Sequence, residues 1–452
     1  MAIIQVSPNP VNELEKPKKK EIWSYGIGSL GLNSSFTLTS SFLTYYYTDS
    51  VGITAAAVGT LMLIARLFDG VTDLAMGTVV DKTKTKHGKA RPWILWMAMP
   101  LGFSILLLFS MPNISDAGKI VYAYITYLLF ILLYTMVAIP YKTLLALMTQ
   151  DQLSRSLSNI NSAIWFMFGT LLVMTLTQPI ASRFGWLTLA ILYALITVIP
   201  LFITFRYVKE RITAPIHNDS KVSIKTGILA LIRNQYWMII SIVCVLFYII
   251  LGLVQGGGLY YARWVLGNED YFPFIGLALT GPMVLGLFFM GPIVKKFGKR
   301  NVMIAGWFIA LAGQLIKMYD MTDLTTFLIG SVFAGLGAMP SLGLIVAMIN
   351  DTVEYGEYKT GIRTEGMLNS GASFGAKVGT GLGLAIIGWS LSYGSYISQA
   401  NVQTEQAIAM IKAINIHFPI VFGVILVTLL FFFKVDKLYP QIVAELQKRK
   451  QK

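Results

Sequence analysis

The feature that most constrains this chain is a series of long stretches without a single Asp, Glu, Lys or Arg. Residues 22–48, 93–111, 120–141, 184–205 and 271–294 are all free of them. A helix of about 20 mostly apolar residues crosses the hydrocarbon core of a bilayer. Buried helices of soluble domains rarely run so far without charge. Only 13% of the 452 residues are charged, against roughly 25% in a soluble domain. The pattern predicts an all-α membrane protein with twelve transmembrane helices, at 22–48, 52–80, 93–111, 120–141, 160–181, 184–206, 236–262, 271–294, 301–318, 324–349, 366–392 and 412–433. The first span is long and has no small-residue cleavage site behind a short apolar core, so it reads as a retained helix and not a signal peptide.

A net charge of +14 in a soluble protein would suggest nucleic acid as partner. Here the basic residues collect in short connectors: Lys16 to Lys20, Lys82 to Arg91, Arg206 to Lys225, and Lys295 to Arg300. No basic stripe alternates with exposed aromatics, so no nucleic acid is expected. The intervening connectors at 112–118 and 320–323 are poor in Lys and Arg. The positive-inside rule then places both termini in the cytoplasm. The single cysteine, Cys244, lies inside a span, so no intramolecular disulfide can form. No Cys or His pair has metal-ligand spacing, and no nucleophile stands beside a base. Neither a metal, a cofactor nor enzymatic chemistry is expected. No re-entrant filter or ring of acids suggests a channel.

The polar stretch 207–225 divides the spans six and six. The expected organisation is an N-terminal half (1–206), a central cytoplasmic loop (207–235), a C-terminal half (236–434) and a cytoplasmic tail (435–452). A short repeat supports the division. Gly77 and Asp81 close the second span and are followed by Gly88-Lys89; Gly291 and Lys295 close the eighth and are followed by Gly298-Lys299-Arg300. Two parallel six-helix halves are the plan of major facilitator transporters.

Charge inside a membrane helix is costly and usually marks function. The second span carries Arg66, Asp69 and Asp73. Their spacings of three and four residues put them on one helical face. Two stacked carboxylates can share a proton or a small cation, and one arginine cannot neutralise both. Lys377 sits mid-span among small residues, in the segment GASFGAK that also holds Ser373. It must meet a carboxylate, a ligand or water, and an ion pair to Asp69 or Asp73 across the two halves would let it sense that site. Lys142, beside Pro140, either snorkels to the interface or faces the cavity. The connector after the tenth span mixes Asp351, Glu354 and Glu357 with Lys359 and Arg363. It reads as a solvated loop or as an ionic latch against basic loops of the first half, with Arg66 a further gating candidate.

Five segments together carry a family resemblance: YYYTD (45–49), RLFDGVTD (66–73), GKARPW (88–93), IPY (139–141) and DTVEYGEYKTG (351–361). With them the chain resembles the glycoside–pentoside–hexuronide cation symporters along nearly its whole length. The resemblance implies a major facilitator fold, alternating access and symport of a sugar or glycoside with a proton or sodium ion across a bacterial plasma membrane, by a protein functional as a monomer. It implies cation binding by Asp69, Asp73 and Thr135, and substrate binding by Asp69, Asp73 and Tyr134, with Lys377 matching the family lysine; Asn33, Lys142, Ser373 and Lys377 are further candidate substrate-binding residues. Members that carry melibiose have acids where this chain has Asn33 and Ala138, and Trp in place of Lys142. The departures turn the expectation away from galactosides and the coupling ion toward the proton, while the segment KIVYAY (119–124) and the 350–365 connector resemble the branches that carry xylosides, glucuronides or related oligosaccharides. The departures also leave open a second class, a sugar sensor or uncoupled facilitator that kept the transporter fold.

Overall fold

A computed structural model describes residues 16–149, 151–212, 231–361 and 365–451. Arg363 of the expected latch lies outside the described residues, as does most of the central loop. The helices are α1 (Lys19–Tyr45), α2 (Ala55–Lys82), α3 (Arg91–Leu108), α4 (Asp116–Met148), α5 and α6 (together Gln152–Tyr207), α7 (Gln235–Trp264), α8 (Phe272–Phe297), α9 (Lys299–Tyr319), α10 (Leu324–Thr360), α11 (Glu365–Tyr393), α12 (Glu405–Phe432) and α13 (Val435–Gln451). Side-chain caps start several of them. Ser115, Asp151, Asn234, Asp323 and Thr404 each accept a hydrogen bond from a first-turn N–H, which satisfies a donor that the helix leaves open.

Among the described residues, ten helices are long and apolar enough to cross a membrane. One of the ten, Leu153–Tyr207, turns back at Gly185, whose φ of 81° is open to glycine but strained for other residues, and so contains two of the expected spans. The first expected span is also a helix, α1, but it is rich in Ser, Thr and Gly and is not among the ten. Large apolar side chains such as Phe288, Phe289, Leu285, Phe103 and Met99 are exposed on the outer surface, as lipid contact requires.

Close crossings hold the bundle. A Cβ on Gly388 of α11 would lie 2.3 Å from the Ala55 carbonyl of α2, and one on Gly337 of α10 would lie 2.2 Å from the Ala310 nitrogen of α9. Only glycine lets these backbones approach so closely. One buried core runs through α1 to α6 and continues into the ends of α7 and α11 near Leu259 and Leu391. A second gathers α7 to α13. The halves therefore fuse at the end holding Tyr45 and Trp264, the sealed end. They are separated by a cavity toward the other, basic end.

The repeat seen in the sequence has a structural purpose. Gly88 (φ 101°) and Gly298 (φ 80°) both turn the chain into the next helix. The free amides of Lys89, Ala90 and Arg91 donate to the Glu210 carboxylate at 2.7–2.9 Å, and that of Arg300 donates to Asp436 at 3.0 Å. Each acid stands just past the last span of its half. Arg91 reciprocates by donating to the Phe205 carbonyl at the end of α6, and Arg300 to Leu430 and Phe431 at the end of α12. In both halves a helix N-terminus takes an anion while a cation caps a helix C-terminus.

Candidate transport site between the two halves

The charged face of α2 points into the cavity. Asp69 is 2% exposed and accepts from the Thr135 hydroxyl of α4 at 2.9 Å. Lys377 of α11 reaches across from the second half. Its ammonium lies 2.9 Å from Asp69 Oδ2, 2.5 Å from Asp73 Oδ2 and 3.1 Å from the Asp69 carbonyl. The one-turn spacing of the two aspartates on α2 makes a single ammonium enough to bridge both. The lysine thus supplies the second positive charge that the sequence left missing.

Arg66, 1% exposed, is held apart from this bridge. It lies 3.9 Å from Asp69, donates to Ser40 of α1 at 2.7 Å, and covers the Phe36 ring at 4.4 Å. It stands in the wall between α2 and α1 and lines the cavity.

The cavity holds about 290 Å³ and is lined by Asp69, Asp73, Tyr134, Lys142, Ser373 and Lys377, among others. Lys142 therefore faces the cavity rather than the lipid interface. Thr135 is buried behind Asp69 and does not line it. Ala138 does line it, with a methyl group where an acid would add oxygens. Asn33 is set apart from this compartment. Its amide nitrogen donates to the Phe166 carbonyl at 2.6 Å and to Thr170 at 2.7 Å, so it clamps α1 to α5 and borders a neighbouring compartment.

The expected latch is corrected in one part. Asp351 takes Lys299 at 2.6 Å, a partner from its own half rather than from a first-half loop. The basic turn before α9 is simply the nearest cation. Glu354 and Glu357 lie on the last turns of α10 at the same end.

Sequence reasoning missed the cluster that joins the halves at the sealed end. Arg263 of α7 lies 3.3 Å from Asp49 and 3.2 Å from Glu269. Asp49 also accepts from Tyr396 at 2.6 Å and from Thr48 at 2.8 Å, and Glu269 from Tyr45 at 2.6 Å and from Gln178. The polar segment YYYTD at the end of a span was the available signal. Lys317, inside the ninth span, was also passed over; it is 1% exposed and its ammonium covers the Phe327 ring at 4.4 Å.

A multi-pass helical bundle with a charged cavity of about 290 Å³ between its halves has the build of a secondary transporter of the major facilitator class. Solved structures agree on that fold. A bacterial homolog of the human lysosomal transporter Spinster, inward-facing and unoccupied, superposes with a TM-score of 0.68 over 94% of this chain and 97% of its own, at 12% identity. The nucleoside transporter NupG gives 0.60 over 92% and 98%, at 14% identity. The chain belongs to the MFS/sugar transport protein family, whose model matches residues 24–437. It is 34% identical to an isoprimeverose transporter of Lactiplantibacillus pentosus over 95% of this chain and 91% of that one. It is 30% identical to a glucuronide carrier protein homolog of Escherichia coli over 95% and 96%. It is thus a multi-pass membrane transporter and not an enzyme.

Proposed function

We propose that this protein imports a sugar or glycoside, of the xyloside, glucuronide or related oligosaccharide class, by symport with a proton. The observation that carries the reading is Lys377, shared between Asp69 and Asp73 at 2.9 and 2.5 Å inside a cavity open to water. The lysine occupies the seat that a coupling cation needs. A cation arriving on the carboxylates releases the ammonium, which then donates to sugar hydroxyls beside Tyr134, Lys142 and Ser373. Each occupant thereby favours the other, the reciprocal coupling that symport requires.

A dehydrated sodium ion needs several oxygen ligands. Near Asp69 and Asp73 it would find Thr135, but Ala138 adds none. A proton needs one carboxylate only. The basic connectors support cytoplasmic termini and a cavity mouth that faces inward, toward the end of the bundle where Asp351, Glu354 and Glu357 lie on the last turns of α10. Uptake of labelled sugars into energised vesicles, with pH and sodium gradients imposed separately, tests the whole reading. A proton gradient alone should drive accumulation. Accumulation driven by sodium at constant pH would refute the proton. Counterflow without accumulation under either gradient would identify an uncoupled facilitator, which the neutral residues Asn33 and Ala138 leave as the alternative.

A further inference from the structure

The cavity between the halves has a second compartment. It holds about 150 Å³ and lies between α1 and α5 on one side and α7, α8 and α10 on the other. Phe36, Phe166 and Tyr248 line both compartments, so the two adjoin at three aromatic rings. Their chemistry differs sharply. The first presents Arg66, Asp69, Asp73, Lys142 and Lys377, whereas no charged side chain lines the second. Its polar groups are Asn33, Thr37, Thr170, Gln255 and Thr280.

Most of those groups are already engaged. Asn33 is bound to Phe166 and Thr170, Thr37 donates to Asn33 at 3.4 Å, and Thr280 donates to the Gly276 carbonyl at 2.7 Å. Gln255 is different. Its half-buried amide, on α7 among Val254 and three glycines, has no hydrogen-bond partner among the described residues. An amide in the middle of a membrane helix is costly unless it meets water or a ligand. Gln255 offers one acceptor and two donors in a plane, a match for adjacent hydroxyls that both give and take hydrogen bonds. Apolar and aromatic walls with a few aimed polar groups are the usual build of a small-molecule site. Volume, neutrality and the free amide all suit an uncharged polyol ring lying against an aromatic face.

We infer that the neutral compartment is a second sugar subsite, read by Gln255, which takes the uncharged second glycosyl unit of a disaccharide whose first unit sits beside Tyr134, Lys142, Ser373 and Lys377. This rests on the sugar-transport reading and narrows it to disaccharide-sized, neutral-tailed substrates. The partition of Phe36, Phe166 and Tyr248 is the point where the glycosidic bond passes.

The test is calorimetric titration of the purified full-length protein with xylose, glucose and the xylosyl-glucose disaccharide isoprimeverose. The wild type should bind the disaccharide about tenfold more tightly than either monosaccharide. Gln255→Leu should remove about tenfold of disaccharide affinity, the worth of a hydroxyl–amide contact, and leave monosaccharide binding unchanged. Val284→Phe, which fills the compartment from a half-buried position on α8, should exclude the disaccharide while monosaccharides still bind, and this retained binding shows that the variant is folded. Equal loss for mono- and disaccharide in both variants, or no loss in either, would overturn the subsite and leave the sugar reading standing. A wild type that binds the monosaccharides and prefers no disaccharide would do the same. Binding of none of the three sugars would overturn both.

Discussion

Two charged clusters join the halves of this transporter, and they are built for opposite purposes. At the sealed end, Arg263 faces Asp49 and Glu269 at 3.2–3.3 Å, and the hydroxyls of Tyr45, Thr48 and Tyr396 and the amide of Gln178 satisfy the remaining carboxylate oxygens. Three tyrosines, Tyr45, Tyr260 and Tyr396, pack edge to face around it. In the middle of the bundle, Lys377 alone bridges Asp69 and Asp73, and the space beside it is a cavity. The first cluster is complete without a ligand. The second is complete only while the lysine stays, and a cation can replace it. A closed gate and a vacatable site differ less in charge than in how many neutral donors surround the carboxylates.

The largest effect should come from the central cluster. Asp69→Asn or Asp73→Asn removes one half of the lysine's seat. With one carboxylate gone, the lysine and an incoming cation no longer compete for the same pair of acids, so gradient-driven accumulation in vesicles should fall to background while the protein still inserts and folds. Concentrative uptake at wild-type level by both variants would break the comparison at its centre.

Next in size is Arg263→Ala at the sealed end. Arg263 is about a third exposed (30%), so its loss should cost less than a fully buried pair, on the order of 1–2 kcal/mol. A cysteine at Thr44, buried beneath the seal, in a Cys244→Ser background, should react about tenfold faster with an impermeant maleimide when Arg263 is gone. An unchanged rate would mean that the apolar core alone keeps this end shut.

A smaller shift is expected at the basic end. Reversing charge at Glu354 and Glu357 together should change labelling of reporter cysteines on that side by about twofold to fivefold, because exposed pairs contribute only ~0–1 kcal/mol each. Unaltered labelling would remove these acids from the gate.

The smallest effect concerns the start of α10, at the sealed end. The hydroxyl and backbone N–H of Thr326 hold the exposed Asp323 carboxyl below the usual carboxylate range. A depressed carboxyl stabilises above its ordinary pKa of about 3.9 and loses that contribution as pH falls through the lowered value. Asp323→Ala should therefore lower the thermal midpoint in detergent slightly at neutral pH, with the gap closing at pH values well below the ordinary carboxylate range. A gap that persists there would assign the effect to helix geometry rather than charge.

Much of the bundle was legible before any coordinates. The expected boundaries at 120–141, 236–262 and 366–392 fall inside α4, α7 and α11, because long uncharged runs and capping residues are local signals. The face Arg66–Asp69–Asp73 was legible for the same reason: helical spacing fixes it. The partner of a charge was not. Lys377 was a candidate, but only packing of α11 on α2 decided that one ammonium spans both carboxylates. Asp351 was expected to meet the first half, yet Lys299 lies nearer. Asn33 was expected to touch substrate; only the crossing of α1 and α5 decided that its amide nitrogen is engaged by Phe166 and Thr170 while it lines the neutral compartment.

By itself the sequence determined the membrane setting, the helical repeat, the family and the charged face of α2, since each is written in composition, spacing or contiguous motif. The tertiary structure alone decided which charges neutralise one another, that the sealed end closes through Arg263, and that the cavity has a charged and a neutral chamber. Those properties depend on distances between residues up to 347 positions apart, as between Tyr396 and Asp49. No local rule encodes such distances, because they are set by where whole helices pack.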